Sequence, residues 1–542
     1  MRATPATWAA ITTALVLVAG CTVGPNFTPP KPPKVATWND PSAHGASPIT
    51  RVTPETNPDP VWWAGFDDPV LTTLIKQAIS GNLDLQQALL RVVEAREGEV
   101  SARAAGLPTI NGNASYMREQ LGLRGLLLSQ GTYGKVNALA APNSPLNQYS
   151  PGLGNEASSA ITGALNQFSQ PANIYQYGLS SSWELDLFGK VRRSVEQAAA
   201  RTQAQMEATN DALVMLEGQV AQAYVQLRGA QALTATQLED VQAAQDSLDL
   251  TQKRQLQGLT TELDVDQART QLANYQYPLP GYEKQAQQAM NRLSVLTGQP
   301  PGALDALLGP AAPLPNVPDV VGIGLPASLA RRRPDIREAE AQLHAATANV
   351  GVAVASFYPD ISLTGSFGLR ALDASYLTNW ASAFYAFGPS VSLPIFEGGR
   401  LTANLRLARA QEAEAALAYR GTVLNALREV EDALVAYRTD RAARDKADEA
   451  VRSGETTLYL ARNSYANGLT DFLQVLDAER TVVGSRQQLV QANVALTNDI
   501  VTLYTALGGG WQENEVQATA SVTTVPPPVP AALDEVAAGT GR

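Results

Sequence analysis

Between residues 68 and 105, apolar side chains recur at helical spacing. Leu71, Leu74, Ile75 and Ala78 form one set, and Leu85, Ala88, Leu89 and Val92 the next. This predicts helix that Gly81-Asn82 can interrupt and that Gly106-Leu107-Pro108 ends. The period then changes. A strand near Thr109 to Met117 runs into a polar, Gly-rich stretch, 118–172, which reads as a long surface loop. Next, Tyr175, Tyr177, Leu179, Trp183 and Leu185 alternate with Gln176, Gly178, Ser180, Ser182 and Glu184, a strand with one apolar and one polar face. After Phe188-Gly189-Lys190 the helical period returns to about Leu256, with a heptad-like seam of Leu213, Leu216, Val220, Ala223, Leu227 and Ala230. Roughly 65 helical residues at ~1.5 Å each would reach about 100 Å.

The second half repeats this plan. Asp335 and Pro359 follow Asp84 and Pro108 at an offset of 251 residues. Two further alternating strands follow: Ile361, Leu363, Phe367 and Leu369 share one face of the first, and Tyr385, Phe387, Val391, Leu393 and Ile395 one face of the second. Helix is predicted from about Leu401 to Asn467 and from Thr470 to Leu507. Asn467-Gly468 is a helix stop, and Thr470-Asp471 can cap a new start. The same device stands earlier, with Gly258 at an offset of 210 from Gly468. Leu259, Thr260, Leu263, Val265 and Ala268 then match Leu469, Thr470, Leu473, Val475 and Ala478. One chain makes the same helical hairpin tip twice. The return helix after Gly258 is expected to bend at Pro278 and Pro280.

The amino terminus changes the picture. Arg2 precedes an apolar run, Trp8 to Val18, that ends in Ala19-Gly20-Cys21. Such a run is a secretory signal, too short to span a bilayer. Cys21 is the sole cysteine of the chain and follows small residues, so it reads as a lipoprotein processing and acylation site. No later segment is apolar over the ~18–20 residues of a transmembrane helix. A membrane crossing would have to be made by strands. Four strands of about ten residues with alternating faces carry the outer-membrane barrel pattern. Four cannot enclose water, and open edges are excluded from lipid. The strands pair with copies of themselves, or they form a soluble sheet. Three copies would supply twelve strands around an aqueous lumen, and their helices would continue it as a tube.

Composition narrows the functions. The net charge is -11 and no basic stripe with interleaved aromatics is present, so nucleic acid is not expected as a partner. His44 and His344 lack metal-ligand spacing, and no phosphate loop or nucleophile elbow occurs. No enzyme and no cofactor are expected, apart from the covalent lipid on Cys21.

Several segments together carry a family resemblance: Cys21-Thr22-Val23-Gly24-Pro25; Trp62-Trp63 with Phe66 and Asp68; Ser182 to Lys190; Gly324-Leu325-Pro326; Arg332-Arg333-Pro334-Asp335-Ile336-Arg337; and Pro394-Ile395-Phe396 with Gly398-Gly399-Arg400. The chain resembles the TolC-like outer-membrane efflux proteins, in their OprM/NodT lipoprotein branch, from Cys21 to about Leu507. The resemblance implies an α+β membrane protein, internally duplicated, that forms a homotrimeric 12-stranded β-barrel continuing into a periplasmic α-helical barrel. It implies a periplasmic adaptor and an inner-membrane resistance-nodulation-division pump as partners, and the outer membrane as location. It also implies an aperture gate at Leu473 and Asp477, with tip tethers at Tyr465, Arg480 and Asp264. Three copies of Asp477 on one axis would favour cations, and Leu473 one turn earlier could form a dewetting constriction. TolC carries a second ring carboxylate and a tethering arginine where this chain has Gln474 and Thr470, which speaks against a TolC-type salt-bridge lock.

The expected organisation is a signal peptide (1–20), a lipidated extended segment (21–61), a first repeat (62–297), a linker (298–325), a second repeat (326–508) and a disordered tail (509–542). The expected function is passive conduction of small toxic molecules or drugs out of the cell. A duct for protein or oligosaccharide secretion, or a periplasm-spanning structural lipoprotein without a pore, are the alternatives.

Overall fold

The computed structural model describes residues 22–31, 37–39, 51–53, 58–120, 122–168, 170–318 and 320–514. The signal peptide, Cys21, His44 and the tail beyond Asn514 lie outside the described residues. In chain order the strands are β1 (Arg51–Thr53), β2 (Thr109–Glu119), β3 (Ala172–Glu184), β4 (Val320–Gly322), β5 (Asp360–Ala371) and β6 (Ala383–Ser392). The helices are α1 (Pro69–Gly81), α2 (Leu83–Ala104), α3 (Leu123–Ser129), α4 (Thr132–Asn137), α5 (Pro145–Tyr149), α6 (Leu153–Phe168), α7 (Lys190–Leu256), α8 (Glu262–Gln276), α9 (Leu279–Leu296), α10 (Asp305–Leu308), α11 (Leu329–Arg332), α12 (Pro334–Ala355), α13 (Arg400–Ala466) and α14 (Phe472–Ala506). None of the described helices is long and apolar enough to cross a membrane.

The chain divides into two compact units. The first holds the four-stranded antiparallel sheet, in order β2-β3-β5-β6. Its register puts Ile110, Tyr116, Tyr175, Tyr177, Leu179, Leu363, Phe367, Leu369, Tyr385, Phe387 and Val391 on one face. Asn111, Asn113, Gln176, Ser180, Ser362, Thr364, Ser366, Arg370 and Ser390 share the other. The polar face is cross-linked by Asn113 Nδ2 donating to Ser180 Oγ (2.7 Å) and Arg370 Nε donating to Gln176 Oε1 (2.8 Å). The apolar face is uncovered: Tyr385 is 74%, Phe387 82% and Val391 65% exposed. β6 ends at Ser392, short of the expected Ile395, opposite the first residue of its partner β5, Asp360, and Pro394 has no N–H to extend the ladder.

The expected loop 118–172 is the clearest correction in this unit. It folds into α3–α6. Its glycines start helices instead of forming coil: Gly122 and Gly131 hold φ of +67° and +66° as N-caps. Ser144 caps α5, where Pro145 supplies the first turn.

The second unit carries the main hydrophobic core. Trp62, Trp63, Phe66, Leu71, Leu74 and Ile75 pack with Leu213, Val220, Tyr224, Leu227, Leu293, Val430, Leu434, Ile500, Leu503 and Tyr504. Trp62 stacks on Tyr504 at 5.3 Å. Asp68 caps α1 through Val70 N and Leu71 N and also accepts from Tyr224 Oη (2.7 Å). The Arg-Arg-Pro-Asp segment is a clamp. Arg333 holds Asp335 with two donors, at 3.0 and 2.8 Å, and reaches Glu429 (2.8 Å) and the Ala506 carbonyl (2.9 Å). Part of the amino-terminal segment is ordered against this unit. Trp38 is buried and donates to Gly324 O, β1 pairs in parallel with β4, and Phe27 stacks on His344, which contacts Glu196 at 3.0 Å. Where a bend is expected, Tyr277 and Pro278 separate α8 from α9, and Pro280 stands in the first turn of α9.

Candidate gate at the two hairpin tips

Both tips close with the same hydrogen bonds. Leu259 N donates to Arg254 O (2.9 Å) and Gly258 N to Gln255 O (2.9 Å). At the 210 offset, Leu469 N donates to Ser464 O (2.9 Å) and Gly468 N to Tyr465 O (3.0 Å). Gly258 and Gly468 supply the left-handed turn, with φ of +72° and +73°. The restarts differ. At the second tip Asp471 Oδ1 accepts from Gln474 N (3.3 Å). At the first, Thr261 and Asp264 close a capping box.

The packed side of the tips is a small core of Leu248, Val265, Ala268, Tyr465, Phe472, Val475 and Leu476, drawn from α7, α8, α13 and α14. The two hairpins therefore support each other. Tyr465 is buried here and its ring lies 5.4 Å from Phe472. Arg480 Nε, on α14, donates to the buried Gln271 Oε1 on α8 (2.9 Å), joining the two return helices. Asp264 faces its own helix start. Its Oδ2 accepts from Thr260 Oγ1, Thr261 N and Thr261 Oγ1. Partial burial would push this carboxyl up, but these hydrogen bonds outweigh it and hold it below the ordinary value.

Leu473 and Asp477 stand on the opposite, exposed side of α14, one turn apart. Leu473 is 59% exposed although its helix neighbours Phe472, Val475 and Leu476 are buried. Both line an open cleft of about 740 Å³ between α13 and α14, together with Gln474 and Arg480. The structure thus brings Tyr465 and Arg480 into the packing between hairpins and leaves Leu473 and Asp477 free of it.

Two charged groups at this end escaped sequence reasoning. Arg254 lies over the Tyr465 ring (4.6 Å) and donates to the carbonyls of Tyr465 (3.0 Å) and Ala466 (3.3 Å), capping α13 from the other hairpin. Glu479 is buried and accepts from Arg462 Nη2 (2.9 Å) and Ser247 Oγ (3.1 Å). The only signal for Arg254 is a cation four residues before Gly258. Glu479 and Arg462 carry none, since their meeting depends on how far each long helix is rotated.

The chain matches the outer membrane efflux protein family over residues 74–299 and 325–509. It is 34% identical over 511 residues to the toluene efflux pump outer membrane protein TtgI of Pseudomonas putida, covering 93% of this chain and 98% of that one. To the outer membrane protein OprJ of Pseudomonas aeruginosa it is 31% identical over 506 residues, covering 93% and 96%. The structure of the outer-membrane channel OprN superposes with a TM-score of 0.77 at 32% identity, covering 91% of this chain and all of that one. Matched by the family model over most of its length and by these relatives nearly end to end, the chain belongs to the outer membrane efflux protein family and is an outer-membrane efflux channel.

Proposed function

We propose that three copies of this chain close a twelve-stranded barrel in the outer membrane and conduct small toxic molecules outward. The observation that carries this reading is the sheet. One face is uncovered and apolar, the other is polar, and both edge strands, β2 and β6, have no partner strand among the described residues. In lipid, an open edge leaves a row of unpaired backbone groups at several kcal/mol each, so β6 of one copy must meet β2 of the next. The apolar faces then meet hydrocarbon and the polar faces a wet lumen. The relatives named for solvent, toluene and antibiotic efflux pumps support a cargo of solvents or drugs.

Leu473 and Asp477 are the gate of this duct. Three apolar side chains on one axis narrow and dry the aperture, and three carboxylates one turn further bias it towards cations. Tyr465 and Arg480 hold the tip helices behind the gate, and Asp264 fixes the first tip by capping it. Energy comes from an inner-membrane resistance-nodulation-division pump reached through a periplasmic adaptor. Acyl chains on Cys21 anchor the mature amino terminus, because several chains together give stable membrane attachment. A cell that loses this chain should accumulate toluene or a lipophilic antibiotic and become sensitive to it, and the wild-type chain should restore efflux. Unchanged accumulation in the deleted strain would remove the small-molecule reading.

A further inference from the structure

The segment 122–168 is the part of the chain that the channel reading does not use. It interrupts the β2–β3 hairpin with 47 residues, whereas β5 and β6 are joined by residues 372–382. It also stands at a defined place. The strand ends that run into helix, Thr109, Glu184, Asp360 and Ser392, lie at one end of the sheet, and both hairpin connections lie at the other. Since the helices are periplasmic, the insert sits at the outer mouth. It also adjoins the edge strand β2, which the proposed trimer pairs with a neighbouring copy.

The insert's long helix, α6, is turned the wrong way for a self-contained domain. At 100° per residue, Gly154, Ser158, Thr162 and Leu165 form the side packed on the rest of the insert. The apolar stripe lies beside that side, on Leu153, Ala157, Ile161 and Ala164. Leu153 is 38% and Ile161 40% exposed. On α3, Leu126 and Leu128 are likewise more than half exposed. The whole insert carries three charges, Arg124, Lys135 and Glu156, and Glu156 points away from the stripe. Helices that lie in a lipid surface carry Lys or Arg on their polar face, and α6 has neither. An uncharged stripe built on Ala157, Ile161 and Ala164 allows close approach of identical helices without like-charge repulsion.

We infer that the inserts of three copies pack together through the α6 stripe and form a cap over the outer mouth of the barrel, a second constriction separate from the tip gate. This rests on the trimeric reading above. Three inserts meeting at the three-fold axis would bury the stripe and narrow the exit, so the duct is restricted at both ends.

The test uses the full-length chain in outer-membrane vesicles. Ala164→Cys, on the stripe, should give covalent dimers on oxidation, and Asn155→Cys, on the far side of α6, should not. Replacing 122–168 with a short turn should leave the heat-modifiable trimer intact and raise single-channel conductance at least two-fold. An intact trimer in which Ala164→Cys stays unlinked, or in which a fluorophore attached to that cysteine is quenched by doxyl-labelled lipid, would overturn the cap and place the stripe in the membrane. Unchanged conductance after removal of the insert would overturn it as well. Loss of the wild-type trimer itself would instead strike the channel reading on which the cap depends.

Discussion

Gly178 and Gly368 face each other across β3 and β5, and neither has room for a side chain. A Cβ on Gly178 would stand 2.4 Å from the Phe367 carbonyl oxygen, and one on Gly368 would stand 2.4 Å from that of Tyr177. Both atoms belong to rigid strand backbone, so the strands would have to part. The Arg370 guanidinium lies 4.9 Å from the centre of the Phe384 ring, covering the neighbouring strand on the same polar face. Gly368→Ala is therefore expected to disrupt the centre of the sheet. Heat-modifiable migration in detergent should be lost in this variant, while Gly388→Ala, which has open space around it, should keep it.

A milder effect is expected at the tips. Gly468 holds φ of +73° with nothing within 4 Å of a would-be Cβ, so an alanine there meets only backbone strain. That strain is about 1–2 kcal/mol for an L-residue in the left-handed region. Gly468→Ala should speed amide exchange through residues 463–475 by roughly ten-fold, and Gly468→Asn should do so less. Equal exchange in both variants would show that the tip turn is not held by this conformation.

Stability should depend on pH through Asp499. Burial raises this carboxyl to about 7, helped by the neighbouring Asp440 carboxylate. A carboxyl with a folded value above its unfolded one binds its proton more tightly when folded. Its contribution is complete below about pH 4 and is lost as pH rises through about 7. At pH 8 the folded chain thus holds a half-buried charge that at pH 5 is neutral. Asp499→Asn should raise Tm at pH 8 by roughly 1–2 kcal/mol worth of stability and change it little at pH 5. A variant that shifts Tm equally at both values would assign no titration to this site.

The gate makes its own prediction. Leu473 and Asp477 pack against nothing in the tip core, so alanine at both should leave the fold and assembly intact. The double variant should conduct more in planar bilayers and admit large antibiotics that the wild type excludes. Arg462→Ala is the contrast. It leaves the buried Glu479 carboxylate with Ser247 but without its charged partner, and should loosen the tip by lowering stability, about 1–3 kcal/mol. Conductance unchanged in the gate variant would free Leu473 and Asp477 from this role.

The duplicated tip was readable because it rests on local rules. A glycine can turn left-handed and Asp471 can cap without knowing what packs beside them. The strands were readable for the same reason, since alternation needs only neighbours two apart. Asp264 was harder. A carboxylate three residues into a helix can cap its own start or reach a neighbour, and only coordinates show it turned inward to Thr260 and Thr261. The insert reads as loop in the sequence because α3 to α5 are short and start just after Gly122, just after Gly131 and at Pro145, the residues that ordinarily punctuate loops. Arg254 over Tyr465 spans 211 residues, and no pattern along the chain announces such a pairing.

The most direct measurement is electrical. Purified mature chain, extracted in detergent and added to a planar lipid bilayer, should insert as a trimer and give discrete conductance steps. A monomer that stays in water without detergent and leaves the bilayer insulating would contradict the closure of β2 and β6 between copies.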